Sequence, residues 1–322
     1  MRFGLGARLV LLVVLVAAFT AGTLGWTMAV RSRDAVRQSV LRDHLAGADV
    51  AGALVAEHVV GVQARTRELA GRVHPERGAA HPGTDHGVDT PLAEEVERWM
   101  RAQPAVDGVF LADAGGVLRS VGRAAEHPLG PNDALDAGWL REVLAADEPR
   151  LGGPMLSPAT GRRVVPYAVP LRHVGDDSPG VLVATISLDA VAGAVVDAIR
   201  HAEGARASVV DLEHGVYLTR SDRDGILRGP PTGPADRWPV SRERWSAEQT
   251  TADGEAVLAA SAPVPGLPWA VAIERPSAAA FAPADAMITW LVDWTATVLA
   301  VSASLGTVLA LWITRPLEKL RA

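Results

Sequence analysis

Two stretches of this chain run without a charge for long enough to cross a bilayer as helices. Residues 9–30 read LVLLVVLVAAFTAGTLGWTMAV, and residues 295–313 read TATVLAVSASLGTVLALWI. A spanning helix needs about 20 such residues. Tryptophans bracket the second stretch: Trp290 and Trp294 at one end, Trp312 at the other. Such aromatic belts sit at the two faces of a membrane. Trp294 to Trp312 is roughly 27 Å of helix, which matches a hydrocarbon core of about 30 Å. The spans are therefore placed at 9–30 and 287–313, with Asp293 just outside the uncharged core of the second and Trp26 near the outer end of the first.

Between the spans the pattern changes twice. Residues 31–73 contain no proline, and their apolar positions, Val36, Val40, Leu41, Leu45, Val50, Leu54, Val59 and Val62, recur at mixed three- and four-residue steps. That period predicts one long helix, either continuous with the first span or broken after it near Ser32 or Asp34. At about 1.5 Å per residue it projects roughly 60 Å. Residues 74–91, rich in proline, glycine and histidine, read as a loop. Residues 92–102 return to a helical pattern.

Shorter, strand-like segments follow. Residues 106–113 (VDGVFLAD), the turn Ala114-Gly115-Gly116 and residues 117–121 predict a hairpin. Residues 133–146 predict a helix carrying Trp139. Residues 152–156 and 162–171 predict strands joined by the turn 158–161, and residues 180–188 an apolar strand suited to a central position. A helix is expected over 189–201. The order then recurs in shorter form: strands at 207–212 and 216–220, a proline-rich loop at 222–246, strands at 247–264 and 269–274, and a helix from 277 into the second span. The fold class expected is α+β, a long helix with two antiparallel-sheet modules between two transmembrane helices.

Composition narrows the function. The chain has 322 residues, net charge -6 and no cysteine. It therefore has no disulfide framework, thiol nucleophile or cysteine-ligated zinc. Lys319 is the only lysine, and no basic run with interleaved aromatics supports nucleic-acid binding. No G-x-S-x-G, P-loop or H-E-x-x-H is present, so no catalytic residue and no cofactor is assigned. An extracellular hydrolase is disfavoured for that reason. His74, His81 and His86 with Glu76 and Asp85 match no defined metal-site spacing. Asp222-Arg223-Asp224-Gly225 lacks the later acidic ligand of a calcium loop.

Charge also bears on topology. Arg2 and Arg8 precede the first span, and Arg315, Lys319 and Arg321 follow the second, marking both ends as cytoplasmic. Arg31, Arg33, Arg37 and Arg42 oppose that orientation, but long segments translocate largely regardless of charge. The expectation is a two-pass membrane protein with residues 1–8 and 314–322 inside and 31–286 outside. A cleaved signal peptide at the first span is the alternative, given the small residues Ala18, Ala21 and Gly22.

Two resemblances follow from these residues. Thr314-Arg315-Pro316-Leu317-Glu318-Lys319-Leu320, directly after a span, resembles the opening of a HAMP linker. That resemblance implies a parallel homodimer and an output domain after the linker. The segments VDGVFLADAGGVLRSVG (106–122), GRRVVPYAVPLRHVGDDSPGVLVATISLDAV (161–191), ASVVDLEHGVYLTRSD (207–222) and GEAVLAASAPVPGLPWAVAIERP (254–276), in this order between two spans, resemble a double Cache sensor. That resemblance covers residues 31–286 and implies two PAS-like modules, a distal one at 92–201 that holds the ligand and a proximal one at 205–276. It also implies use in receptors such as histidine kinases. Part of the family binds amino acids through a Tyr, Arg, Trp and Asp signature. The spacing around Trp139 and Arg141 does not fit it. Leu156 and Pro158 stand where the Tyr and Asp before the Thr-Gly turn would be, and Thr185 where a later Asp would be. The amino-acid ligand is accordingly not carried over.

The polar and aromatic groups expected to reach a distal cavity are Trp139, Ser157, Arg163, Tyr167 and Arg172. Arginine among them favours a carboxylate or another organic anion. The function expected is the extracytoplasmic ligand-sensing input of a signalling receptor, a sensor histidine kinase foremost. The alternative is a membrane-anchored ectodomain that recruits a protein partner or binds substrate without an output domain.

Overall fold

The computed structural model describes residues 5–73, 90–113, 118–122, 135–171, 180–199, 204–220, 243–251 and 254–319. The chain divides into two compact units, 43–275 and the pair 1–42 with 276–322. The loop at 74–89, the hairpin turn at 114–117, the Asp222-Gly225 segment and Leu320 lie outside the described residues.

Within 43–275, the spine is helix α1 (Leu5–Arg72). Its buried face is Ala48, Ala51, Val55, Val59, Val62, Thr66 and Leu69, a three- and four-residue step that keeps one stripe inward. Thr66 is tolerated there because its hydroxyl donates to the Val62 carbonyl at 2.8 Å. Val50 and Leu54 face outward instead. The stripe is carried by alanines and valines small enough for close approach. Gly52 shows the limit: a Cβ there would stand 3.3 Å from the Pro263 carbonyl oxygen.

The distal module follows helix α2 (Thr90–Arg101). Strands β1 (Val106–Asp113), β2 (Leu118–Gly122), β3 (Arg150–Leu151), β4 (Met155–Leu156), β5 (Arg163–Leu171) and β6 (Gly180–Ser187) form one sheet in the order β2-β1-β6-β5-β3, with β4 also on β5. β6 is central and buried on both faces from Val181 to Ile186, as its unbroken apolar run implies. Helix α3 (Ala137–Ala146) leads into β3, and helix α4 (Leu188–Ala198) leaves β6.

The single strand expected at 152–156 is two short ones. Leu151 pairs with Tyr167 and Met155 with Val164, so residues 152–154 stand opposite only 165 and 166, a bulge. Pro166 explains it. Its carbonyl accepts from Gly152 N at 2.8 Å. In an antiparallel ladder a residue's N–H faces the same neighbour as its C=O. The donor that proline lacks would have faced this edge, and the edge chain buckles there.

The proximal sheet has the order β8-β7-β11-β10-β9, from β7 (Arg206–Asp211), β8 (Val216–Arg220), β9 (Trp245–Thr250), β10 (Ala256–Pro263) and β11 (Trp269–Pro276). The segment 247–264, read as one strand, is a hairpin turning at Gly254, whose φ of +80° suits glycine. β9 is an edge strand, alternating half-buried and exposed. One continuous core joins both modules under α1. It runs from Val62, Val96 and Tyr167 in the distal part to Val209, Trp269 and Ile273 in the proximal part.

Among the described residues two helices are long and apolar enough to cross a membrane, α1 and α5 (Ser277–Lys319), and the other unit holds α5 with the first part of α1. They lie side by side. Arg33 donates to the Asp285 carboxylate at 2.7 Å and covers the Phe281 ring.

Candidate ligand site

The distal sheet has two unlike faces, because alternate residues of a strand point opposite ways. On β5, Val165, Tyr167 and Val169 join the α1 core, whereas Ala168 joins a second cluster with Phe110, Ala112, Val181 and Val183. α3 covers that second face through Leu140 and Val143.

Two aspartates fix the platform. Asp136 caps α3, its Oδ1 accepting from Gly138 N at 2.8 Å, which satisfies one otherwise orphaned donor. Asp147 ends the helix in the left-handed conformation, φ 49°. Between them Trp139 lies half-buried over the bulge. A Cβ at residue 152 would stand 2.8 Å from Trp139 Cζ2 and 2.9 Å from Pro166 Cγ, so only glycine lets the indole settle on the sheet.

A group of polar side chains gathers near the start of β5 and β1, reached from Pro166 across the strand pairs Pro166–Thr185 and Thr185–Gly108. Ser157 opens the tight connection between β4 and β5: its N–H donates to the Arg162 carbonyl at 2.7 Å, and its carbonyl accepts from Gly161 N at 2.8 Å. Gly161 takes φ +66°. The same turn carries Thr160, whose hydroxyl donates to Asp107 Oδ2 at 2.7 Å. Asp107 occupies the register shift between Val106 and Gly108 on β1. Across that shift, the Thr185 hydroxyl donates to the Gly108 carbonyl at 3.1 Å. Asp107 and Ser157 are each 2% exposed. Neither Asp107 Oδ1 nor Ser157 Oγ has a hydrogen-bond partner among the described residues. The Arg162 guanidinium, half in solvent, stands 4.0 Å from Asp107 Oδ1, beyond hydrogen-bond reach.

The expected site residues therefore do not all meet. Trp139 packs on the α3 side of the sheet, as does Ala159 of the turn that carries Ser157. Tyr167 is buried on the α1 face, where its hydroxyl accepts from Arg67 Nε at 2.8 Å. Arg163 has the same parity and pairs with Asp189 at the start of α4, 3.4 Å away. Arg172 lies outside the described residues. Asp107, Thr160 and Thr185 were missed as a group. The available signal was an acid inside the apolar strand VDGVFLAD, where β-propensity disfavours one.

The proximal module has its own buried acid, fully engaged. Asp211 accepts from the backbone N–H of Glu213 and His214, and holds His214 Nδ1 at 2.8 Å. The imidazole abuts the distal bulge: a Cβ at residue 153 would stand 3.0 Å from His214 Nε2. On α1, burial and then the charge of Arg275 hold the His44 pKa below the usual imidazole value, against a hydrogen bond that the imidazole donates to the Leu258 backbone and the charge of Asp43. Burial and then Arg65 do the same for His58.

Residues 32–284 match the dCache_1 family model, described as a Cache domain. No curated protein matches the chain in sequence. Among solved structures, the ligand-binding domain of the Pseudomonas aeruginosa PAO1 amino acid chemoreceptor PctB, in complex with L-Arg, aligns with TM-score 0.56 and 18% identity, covering 80% of this chain and 96% of that one. The ligand-binding domain of the Pseudomonas fluorescens chemoreceptor CtaA, in complex with L-isoleucine, gives TM-score 0.53 at 17% identity, covering 78% and 98%. An extracellular domain described as that of a histidine kinase, rpHK1S-Z16, gives TM-score 0.54 at 18% identity, covering 71% and 92%. At such identities the likeness is one of fold.

Proposed function

This chain belongs to the Cache domain family of extracytoplasmic ligand-sensing input modules, and we propose that its ligand, a small molecule, is held on the α3 face of the distal sheet. The observation that carries this is the pairing of an aromatic wall with unsatisfied buried polar atoms. Trp139 rests on the bulge, and Asp107 and Ser157 each keep a buried oxygen with no hydrogen-bond partner among the described residues. A binding pocket needs such a combination of apolar wall and a few convergent polar groups. The organic-anion reading leaned on Arg163, which is engaged with Asp189 on the other face, so Arg163 no longer supports it.

The rest of the assembly is proposed from the two apolar helices, the charges at their ends and the Arg-Pro-Leu segment. The two apolar helices span the membrane with both ends inside, and the segment between them lies outside. α5 carries the signal inward through a HAMP-type linker in a homodimer, with a histidine kinase as output. The backbone of α5 is helical through Lys319, so the helix continues from the span into the Arg-Pro-Leu segment. A ligand that favours one of two packings of the distal module biases that helix only by its differential affinity for the two.

A thermal-shift screen of the chain in lipid nanodiscs, against organic acids, amines and amino acids, tests the placement. A ligand at about a hundredfold excess over its dissociation constant adds about 2.7 kcal/mol of stability. The expected result is a shift that Trp139→Ala abolishes and Tyr217→Ala, in the proximal sheet, leaves in place. The reverse pattern would put the ligand in the proximal module.

A further inference from the structure

Among the described residues, His44 is the first side chain of α1 to be buried, 4% exposed. Its ring donates to the Leu258 backbone on β10, and its Nδ1 is buried with no hydrogen-bond partner among the described residues. The donor is therefore Nε2, and the neutral ring keeps a bare lone pair at Nδ1. A proton added there becomes a buried donor without an acceptor, and a buried charge besides. Both cost free energy. Among the described residues two charged groups act on the ring. Arg275, from β11, opposes its protonation, and Asp43, the residue before it on α1, favours it. β10 presents only the Leu258 backbone to it. Burial and Arg275 prevail, and the folded pKa is lowered. The surroundings leave little room to adjust: one turn further along α1, a Cβ at residue 47 would stand 3.2 Å from Ile273 Cδ1 on β11.

What gives this place consequence is where β11 leads. The strand ends at Pro276 and α5 begins at Ser277, so Arg275 stands two residues before the helix that runs on into the second apolar span. We propose that His44 is a proton-operated latch: neutral, it seats α1 on β10 and β11, and protonated, it leaves that seat and loosens the strand from which α5 continues. Protons are then a second input to α5, one that needs no change at the distal sheet. The latch is independent of where the ligand sits, and only the compartment whose pH it reads, the extracytoplasmic one, rests on the proposed topology. His58 differs. It too has an unpartnered buried nitrogen among the described residues, but the ring is half-buried, and the charge that opposes its protonation is Arg65, on α1 itself. Its protonation therefore sets no charge of the proximal sheet against the helix.

The test is hydrogen exchange by mass spectrometry on the chain in nanodiscs, without added ligand, at about pH 7.5 and about pH 5.5, with labelling times scaled for the intrinsic pH dependence of exchange. Acid is expected to lower protection about tenfold in β10, β11 and the first turns of α5. That is the factor by which a released imidazole of ordinary pKa, about 6.5, favours its protonated form one pH unit below it. β1, β5 and β6 of the distal sheet are expected to keep their protection. His44→Gln should abolish the acid response, and His58→Gln should leave it in place. The inference is overturned by protection in β10 and β11 that acid leaves unchanged. It is also overturned by a response that persists in His44→Gln or vanishes in His58→Gln. An equal loss across both sheets overturns it as well, since that is global unfolding rather than the opening of a latch. Should His44→Gln fail to fold, Arg275→Gln takes its place: removing the like charge should shrink the acid response, and an unchanged response overturns the inference.

Discussion

At the scale of single residues, parity along β5 decides which side chains can share a site. Tyr167 and Arg163 are polar groups on a strand next to the expected cavity, and residue type gave no way to tell their face. The structure tells it through partners: Arg67 for Tyr167 and Asp189 for Arg163. The Arg163–Asp189 pair is substantially exposed, with side chains 32% and 66% accessible, and such pairs are worth about 0–1 kcal/mol. Arg163→Ala should therefore lower unfolding stability by no more than about 1 kcal/mol and leave ligand affinity unchanged in titration. A loss of binding in that variant would return Arg163 to the site.

Histidine sets a pH dependence at the same scale. His44 and His58 have folded pKa values below the unfolded value, which is about 6.5. In the window below that value the unfolded chain binds more protons than the folded one, so stability rises with pH there. The stabilisation is fully present above about pH 6.5 and is lost as pH falls toward the lower folded values. Melting temperature should fall between about pH 7.5 and about pH 5.5, and His44→Gln should reduce that fall. An unchanged pH profile in His44→Gln would contradict the burial assigned to it.

At the scale of elements, the period of the apolar residues predicted the long helix, α2 and the central strand β6. These signals are local: 3.6-residue recurrence for the helices and an unbroken apolar run for β6. What was not legible depends on a partner strand. The break at 152–154 follows from Pro166, fourteen residues away in sequence from Gly152. The hairpin within 247–264 was hidden because both of its arms are apolar enough to read as one strand. The polar group around Asp107 was equally hidden, since it assembles from β1, β6 and the β4–β5 turn. Gly152 concentrates the consequence. Overpacking costs about 1–3 kcal/mol, so Gly152→Ala should destabilise by about that much in chemical denaturation. It should also weaken ligand binding by tilting Trp139 off the sheet. Unaltered stability would mean that Trp139 is not seated there.

At the scale of the whole molecule, the distal bulge touches both ends of a contact chain. Trp139 and Pro166 close on Gly152, His214 closes on Gly153, and Asp211 ties His214 into the proximal sheet at the strand that pairs with β11. A shift of α3 on ligand binding therefore has a packed route into the module from which α5 departs. The central claim is that the ligand enters at the α3 face of the distal sheet. Hydrogen exchange by mass spectrometry tests it most directly, on the chain in nanodiscs, with and without the compound that stabilises it most. Slowed exchange is expected in α3, the 152–162 segment and the start of β1, with any change in β7 and β11 smaller. Slowed exchange centred on β7 to β11, with α3 and 152–162 unchanged, would contradict it.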